Sequence, residues 1–157
     1  MATSLGALIA LWSTPGIAQQ PTVDSAEQFL IAASTKGNTQ FGGGHPIVQM
    51  TYSNCELSFT TSTSNYRKFI DWAKVSQVQR GDDTGSLTSF GGTTVGDAIA
   101  NASHWVIVSG ALTSDEPGTA VESQWAILYE SPVLAARVVK AMQYLQASCD
   151  NTRGHGF

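Results

Sequence analysis

Charge is the scarcest property of this chain. Lys, Arg, Asp and Glu make up 13% of its 157 residues, about half the usual share, so the surface has to be built from neutral polar groups. Ser, Thr, Asn, Gln and Gly supply them, a composition that suits turn-rich β structure better than helices with charged faces. Eight basic residues face twelve acidic ones for a net charge of −4, and only Arg67 and Lys68 stand side by side. That distribution leaves no electrostatic footprint for a phosphate backbone, so no nucleic acid partner is expected. With no polybasic run, an anionic membrane surface is disfavoured for the same reason.

Long hydrophobic runs are missing too. No stretch approaches the roughly 18 to 20 apolar residues of a bilayer span, and no transmembrane segment is expected. The stretch Leu5 to Trp12 is short and apolar, and it leads through Ser13-Thr14-Pro15 to Gly16-Ile17-Ala18. Small residues at the minus-three and minus-one positions of a cut read as a signal peptide over residues 1–18. The leader is bacterial in type and places the mature protein in the periplasm or outside the cell. Met1 to Ser4 hold no Lys or Arg, a departure that a start a few codons upstream would remove. The alternative for this segment is a buried N-terminal helix.

Cysteine is nearly absent: Cys55 and Cys149 are the whole complement. An even count in an exported chain reads as a bridge. It would close a loop of nearly a hundred residues, for which chain entropy gives about 4 to 5 kcal/mol as an upper value. Two thiols with no histidine at ligand spacing do not make a zinc site.

What is present reads as one α+β domain over residues 19–150, with 151–157 as a flexible tail. Asp24 to Glu27 offer an N-cap and an acidic partner three positions on; Ala26, Phe29, Leu30 and Ala33 then follow at helical spacing to a stop at Gly37. Gly37 to Pro46 reads as a loop. Val48, Met50 and Tyr52 alternate with polar residues, as do Cys55, Leu57 and Phe59, giving two strands or one strand bulged near Ser53-Asn54. Tyr66, Lys68, Ile70 and Trp72 continue the pattern, which Val75 to Gln79 extend, and Arg80 to Gly92 is turn-rich. Trp105 to Val108 read as a central strand ending or bending at Gly110. Across the turn Asp115 to Gly118, the alternating run Val121 to Tyr129 should pair with it as a hairpin. Ser131 and Pro132 open a final helix to about Cys149, whose Leu134, Val138, Ala141, Met142, Leu145 and Cys149 form one apolar stripe. The expected architecture is a short N-terminal helix, an antiparallel sheet or partly rolled barrel of five or six strands, and a long C-terminal helix packed on the sheet.

Ala136 to Leu145 and on to Cys149 resemble the closing helix of small uncharacterised exported proteobacterial proteins. Ile70-Asp71-Trp72-Ala73-Lys74-Val75 resembles an internal segment of the same proteins. A meander closed by a final helix is also similar to the pleckstrin-homology architecture, a resemblance that implies a shape and no activity.

Chemistry-bearing motifs are the last absence. No nucleophile elbow, phosphate loop or dinucleotide turn occurs, and His45, His104 and His155 have no metal-ligand spacing. No cofactor, metal or catalytic residue is assigned. Asp82-Asp83 and Asp115-Glu116 read as solvated turn acids. Arg80-Gly81-Asp82 spells a cell-attachment tripeptide, and Asn101-Ala102-Ser103 a glycosylation sequon, but a bacterial leader argues against a role for either. The aromatics of the strand-like segments, Tyr66, Trp72, Trp105, Trp125 and Tyr129, are core residues by default; with His104 they are also the first candidates to line a pocket for a small apolar or sugar-like ligand. Three functions stay open. The leading one is a non-enzymatic module binding a small molecule or an envelope protein. The others are an enzyme of hydrolase type with an unrecognised site, and an inhibitor or immunity-like protein presenting a loop such as Arg80 to Gly92.

If residues 1–18 are a leader, the intact mass of exported protein will correspond to a chain beginning near Gln19. A mass that retains those residues would remove both the leader and the compartment inferred from it.

Overall fold

A computed structural model describes residues 22–36, 38–42, 44–83 and 102–153. The leader expected at 1–18, most of the turn-rich segment up to Gly92, Asn101 and residues 154–157 lie outside the described residues.

Helix α1 spans Val23–Thr35. Its N-cap is Thr22 rather than Asp24: the Thr22 hydroxyl accepts from the Ser25 amide at 3.1 Å, and Ser25 Oγ accepts from the Thr22 amide at 2.9 Å. A serine at the third helical position closes this reciprocal box as a glutamate would, and Asp24 falls in the first turn, where the helix dipole favours it. The far end is satisfied by hydroxyls, with Thr35 Oγ1 donating to the Ile31 carbonyl and Thr39 Oγ1 to that of Ala33.

Beyond α1 the described residues form seven strands, one or two more than the alternation predicts. The extra strand is β1 (Gln40–Phe41), two residues inside the segment read as a loop and too short to carry any periodicity. It is followed by β2 (His45–Ser53), β3 (Glu56–Thr61), β4 (Ser64–Asp71), β5 (Val75–Arg80), β6 (Trp105–Ser114) and β7 (Glu122–Leu128). The order across the sheet is β4-β3-β2-β1-β7-β6-β5, and an additional pairing of β4 with β6 partly closes it into a ring.

Three local devices shape that ring, and each moves a residue from its expected place. A bulge between Ile47 and Gln49 shifts the parity of β2, so Ile47 and Met50 face the core while Val48 is 55% exposed. Asn54 and Cys55 have φ of 51° and 64°, the two-residue turn whose twist suits a tight hairpin; Cys55 is therefore a turn residue and not the first inward residue of β3. Trp72 opens a 3-10 turn, Trp72–Lys74, instead of extending β4, because Asp71 Oδ1 accepts from the Ala73 amide at 3.1 Å and bends the chain there. As a result β5 pairs with β6 in the other half of the sheet.

Strand β6 belongs to both halves. Its first part pairs with β5 and β7, as the predicted hairpin requires, and Thr113 and Ser114 pair with Phe69 and Lys68 of β4. Gly110 marks the crossing, at φ 154°. A Cβ there would collide with the Lys74 carbonyl oxygen and lie 2.8 Å from the Val75 Cα, so only glycine lets the β4–β5 turn approach this closely.

Helix α2 (Pro132–Arg153) covers the ring. Ser131 caps it as expected, accepting from the Leu134 amide at 3.2 Å, and the helix continues four residues past Cys149. Ala135, Val138, Met142, Leu145 and Cys149 are fully buried, while Leu134 and Ala141 pack at the margin of the stripe. Burial of side chains the size of Val138, Met142 and Leu145 stabilises by about 1.5 to 3 kcal/mol each. Gln143 and Gln146 donate from Nε2 to the Val78 and Val75 carbonyls at 2.9 and 2.8 Å. Those amides satisfy backbone acceptors of β5, the last strand in the order, which would otherwise be open to another chain.

The bridge Cys55–Cys149 is formed, with Cα atoms 5.7 Å apart, and ties the β2–β3 turn to the last turns of α2. Tyr52 adds a contact: its hydroxyl donates to Cys149 Sγ at 3.4 Å, the bonded sulfur having no proton to give. Replacing both cysteines by serine should lower the urea-derived stability by about 2 to 4 kcal/mol while helix content survives, because α2 still docks through its stripe. Loss of less than about 0.5 kcal/mol, or free thiols in protein purified without reductant, would contradict this role.

Candidate functional site

Two halves of a sheet whose backbone pairing is short among the described residues leave an opening at the corner. At one corner, β1, the start of β2, the end of β3, the β3–β4 turn, β4 and the β6–β7 hairpin surround a cleft of about 610 Å³, within the roughly 300 to 1,000 Å³ of small-molecule sites.

Its floor is Phe41, held in place by packing rather than polarity. The Phe41 ring meets those of Phe59 and Trp125 with centroids 5.4 Å apart in both cases, near edge-on to Trp125, a favourable arrangement of aromatic quadrupoles. Gly42, at φ 58°, turns the chain and donates its amide to the Ala126 carbonyl at 2.9 Å. Gly42 and Gly44 thus lie in the β1–β2 turn, which brings His45 back beside Phe41.

The walls are polar. His45 Nδ1 and Thr63 Oγ1 are 2.7 Å apart, and Thr63 Oγ1 lies 3.4 Å from the hydroxyl of the buried Thr61. Lys68 sits on β4 with Nζ 5.1 Å from the Phe41 ring centroid, so its ammonium is held by a cation–π contact. It forms no ion pair among the described residues. Tyr66, 43% exposed, presents a ring at the rim. Glu116 completes the lining, placed by its neighbours: Arg67 donates its amide to Asp115 Oδ1 at 2.6 Å, its carbonyl accepts from the Asp115 amide at 3.1 Å, and Ser114 Oγ donates to that carbonyl at 3.1 Å. These bonds extend the short β4–β6 pairing and fix the hairpin against β4.

Of the residues put forward from sequence as pocket lining, Tyr66 alone lines this cleft. Trp125 lies beneath its floor at 2% exposure. Trp72 is fully buried in the main core, and Trp105 packs with Ile107 and Ala126 in a separate cluster. His104 and Tyr129 lock one another by backbone: the Tyr129 amide donates to the His104 carbonyl at 3.0 Å, and His104 Nδ1 donates to the Tyr129 carbonyl at 3.2 Å. The Tyr129 hydroxyl meets Ser34 Oγ at 3.2 Å inside the protein. Phe41 and Thr63 are cleft residues that sequence reasoning passed over, and Lys68, His45 and Glu116 are ones it read without a ligand role. They come from separate segments with no spacing to join them, and the one signal available was a lysine inside an otherwise apolar alternation.

Other motifs are absorbed by local structure. Arg80 is paired with Asp82 at 3.1 Å and Asp83 at 3.4 Å in and beside the 3-10 turn Gly81–Asp83, so the charges of the attachment tripeptide neutralise each other. No group of three or more His, Cys, Asp or Glu side chains among the described residues could hold a metal ion. No described helix is long and apolar enough to cross a membrane.

Two phenols report on the packing. Burial pushes Tyr129 up to about 12, against a smaller opposing effect of the Ser34 hydrogen bond. Burial, then the nearby Glu27 carboxylate, push Tyr52 up to about 12 as well. Both folded values lie above the unfolded value of about 10, so the native state holds protons that the unfolded chain releases. Their contribution to stability is complete below pH 10 and is lost as pH rises through 12. Urea midpoints should therefore fall across that window, and Tyr129→Phe combined with Tyr52→Phe should flatten the fall. An unchanged slope in the double variant would place these phenols in water.

No family model matches the sequence, and no curated protein matches it. Among solved structures the chain is similar to the inner membrane complex sub-compartment protein 1 of Toxoplasma gondii, at 14% identity over 85% of this chain and 99% of that one, with a TM-score of 0.49. At that score the likeness carries no functional argument.

Proposed function

We propose that this chain is a non-enzymatic binding module of an extracytoplasmic compartment, the periplasm or the outside of a bacterial cell, and that it takes a small hydroxylated, acidic ligand in the corner cleft. The observation that carries the reading is Lys68, a cation without a carboxylate partner among the described residues, standing over an aromatic floor beside His45, Thr63 and the Tyr66 ring. Hydroxyls and an imidazole match sugar-like donors and acceptors, a ring face matches the apolar face of a sugar, and a lysine selects an acidic one. The compartment is supported by the leader read over residues 1–18 and by a long-range disulfide, a bond that persists where the surroundings oxidise. Kinship with small exported proteobacterial proteins belongs to the same reading.

An enzyme of hydrolase type is the second reading, favoured by one contact. His45 against Thr63 at 2.7 Å has the form of a base beside a hydroxyl nucleophile. Among the described residues nothing orients the other side of His45, which leaves binding as the stronger account.

Titration with glucuronate and glucose, followed by amide chemical shifts, should move Thr63, Tyr66 and Lys68 with glucuronate more than with glucose. Lys68→Ala should weaken glucuronate binding by about tenfold, the loss of one charge-assisted contact, with thermal stability unchanged. Shifts elsewhere, or an affinity indifferent to Lys68, would overturn the reading. Turnover of p-nitrophenyl acetate that vanishes in Thr63→Ala would favour the enzyme.

A further inference from the structure

Where α1 crosses α2 the two helices leave a second groove, of about 280 Å³, built from none of the cleft residues. Its apolar walls are Ala26 and Phe29 of α1 with Ala141 and Tyr144 of α2. Arg137 and Lys140 stand along one side, three residues apart on the same face of α2. Like charges at this spacing repel, and neither makes an ion pair among the described residues. This is the reverse of the chain as a whole, whose net charge is −4.

Arg137 is already oriented. Its guanidinium carbon lies 4.8 Å from the centroid of the Phe29 ring, so the cation uses the ring for company while the N–H donors at its edge stay available for a planar, two-oxygen acceptor. A carboxylate is that acceptor, and it would relieve the repulsion between Arg137 and Lys140. At about 280 Å³ the groove lies just under the roughly 300 to 1,000 Å³ of small-molecule sites, which suits a ligand no larger than a medium-chain fatty acid. We propose that the α1–α2 groove is a binding site for a free, single-chain carboxylic acid, its alkyl chain between Phe29 and Tyr144 and its carboxylate on Arg137 and Lys140.

The test is calorimetric and NMR titration of the oxidised full chain with octanoate and with 1-octanol, which has the same chain and no charge. Octanoate should bind with a dissociation constant below about 1 mM and shift the amides of Phe29, Ala141 and Tyr144. 1-Octanol should bind at least about fivefold more weakly. Arg137→Gln and Lys140→Gln, both at exposed positions, should each weaken octanoate about fivefold and leave 1-octanol unmoved. Should one variant fail to reach the wild-type near-UV spectrum, the other decides by the same criterion. Ala141→Phe, which fills the groove, should abolish both interactions. Equal affinity for acid and alcohol, or no amide shift at about 10 mM octanoate, would overturn the proposal. So would Arg137-dependent binding to anionic lipid vesicles, or dimerisation of the chain through this face, in place of octanoate binding.

Discussion

Helix α2 has one apolar stripe to bury, and the rest of the protein is arranged around the place where it does so. Val138, Met142 and Leu145 enter the common core, Gln143 and Gln146 satisfy β5, and Cys149 is bonded to the turn between β2 and β3. The helix therefore touches one half of the sheet through hydrogen bonds and the other through a covalent bond. This matters because the backbone pairing between the half-sheets is short among the described residues: two residues of β1 join them at one corner and two pairings of β4 with β6 at the other, while side chains such as Phe59 and Trp125 meet across the shared core. Val138, Met142 and Leu145 of α2 fill the rest of that core, so the helix completes the burial of both inner faces.

The weak corners are also where surface chemistry collects. At the β1 corner the gap between half-sheets is floored by Phe41 and walled by Lys68, His45 and Thr63, so the same short pairing that leaves the ring incomplete exposes an aromatic face to solvent. Charge is sparse across this protein, and among the described residues several of its cations are already spent: Arg67 on Asp115, Lys74 on Asp71, and Arg80 on Asp82 and Asp83. Lys68, Arg137 and Lys140 have rings or apolar walls for neighbours instead. In a chain that uses charge so economically, cations set against aromatic surface are the features least explained by folding.

The elements most legible in sequence are those whose signals are local and continuous. Ser131-Pro132 followed by a 3.6-residue stripe specifies α2, the turn Asp115 to Gly118 between two alternating runs specifies the β6–β7 hairpin, and a pair of cysteines in an otherwise cysteine-free chain specifies the bridge. What could not be read depends on contacts between distant segments. Val48 alternates correctly with its neighbours, yet a bulge set by pairing with β3 turns it outward. Trp72 continues an apolar alternation, yet the Asp71 side chain captures the Ala73 amide and ends the strand one residue earlier. The site was legible only at Tyr66, because large aromatics attract attention and most of them serve the core. Lys68 and His45 acquire meaning only when β1 folds back on β2 and β4 arrives alongside.

If α2 is the joint between the half-sheets, neither half can open while the other stays closed. Native-state hydrogen exchange of the oxidised protein addresses this directly, by comparing amides of β3 such as Leu57 and Phe59, of β6 such as Val106 and Val108, and of α2 such as Met142 and Leu145. The account predicts one opening free energy shared by all three groups and equal to that of global unfolding. A half-sheet that exchanges through an opening of distinctly lower free energy, while α2 and the other half remain protected, would contradict it.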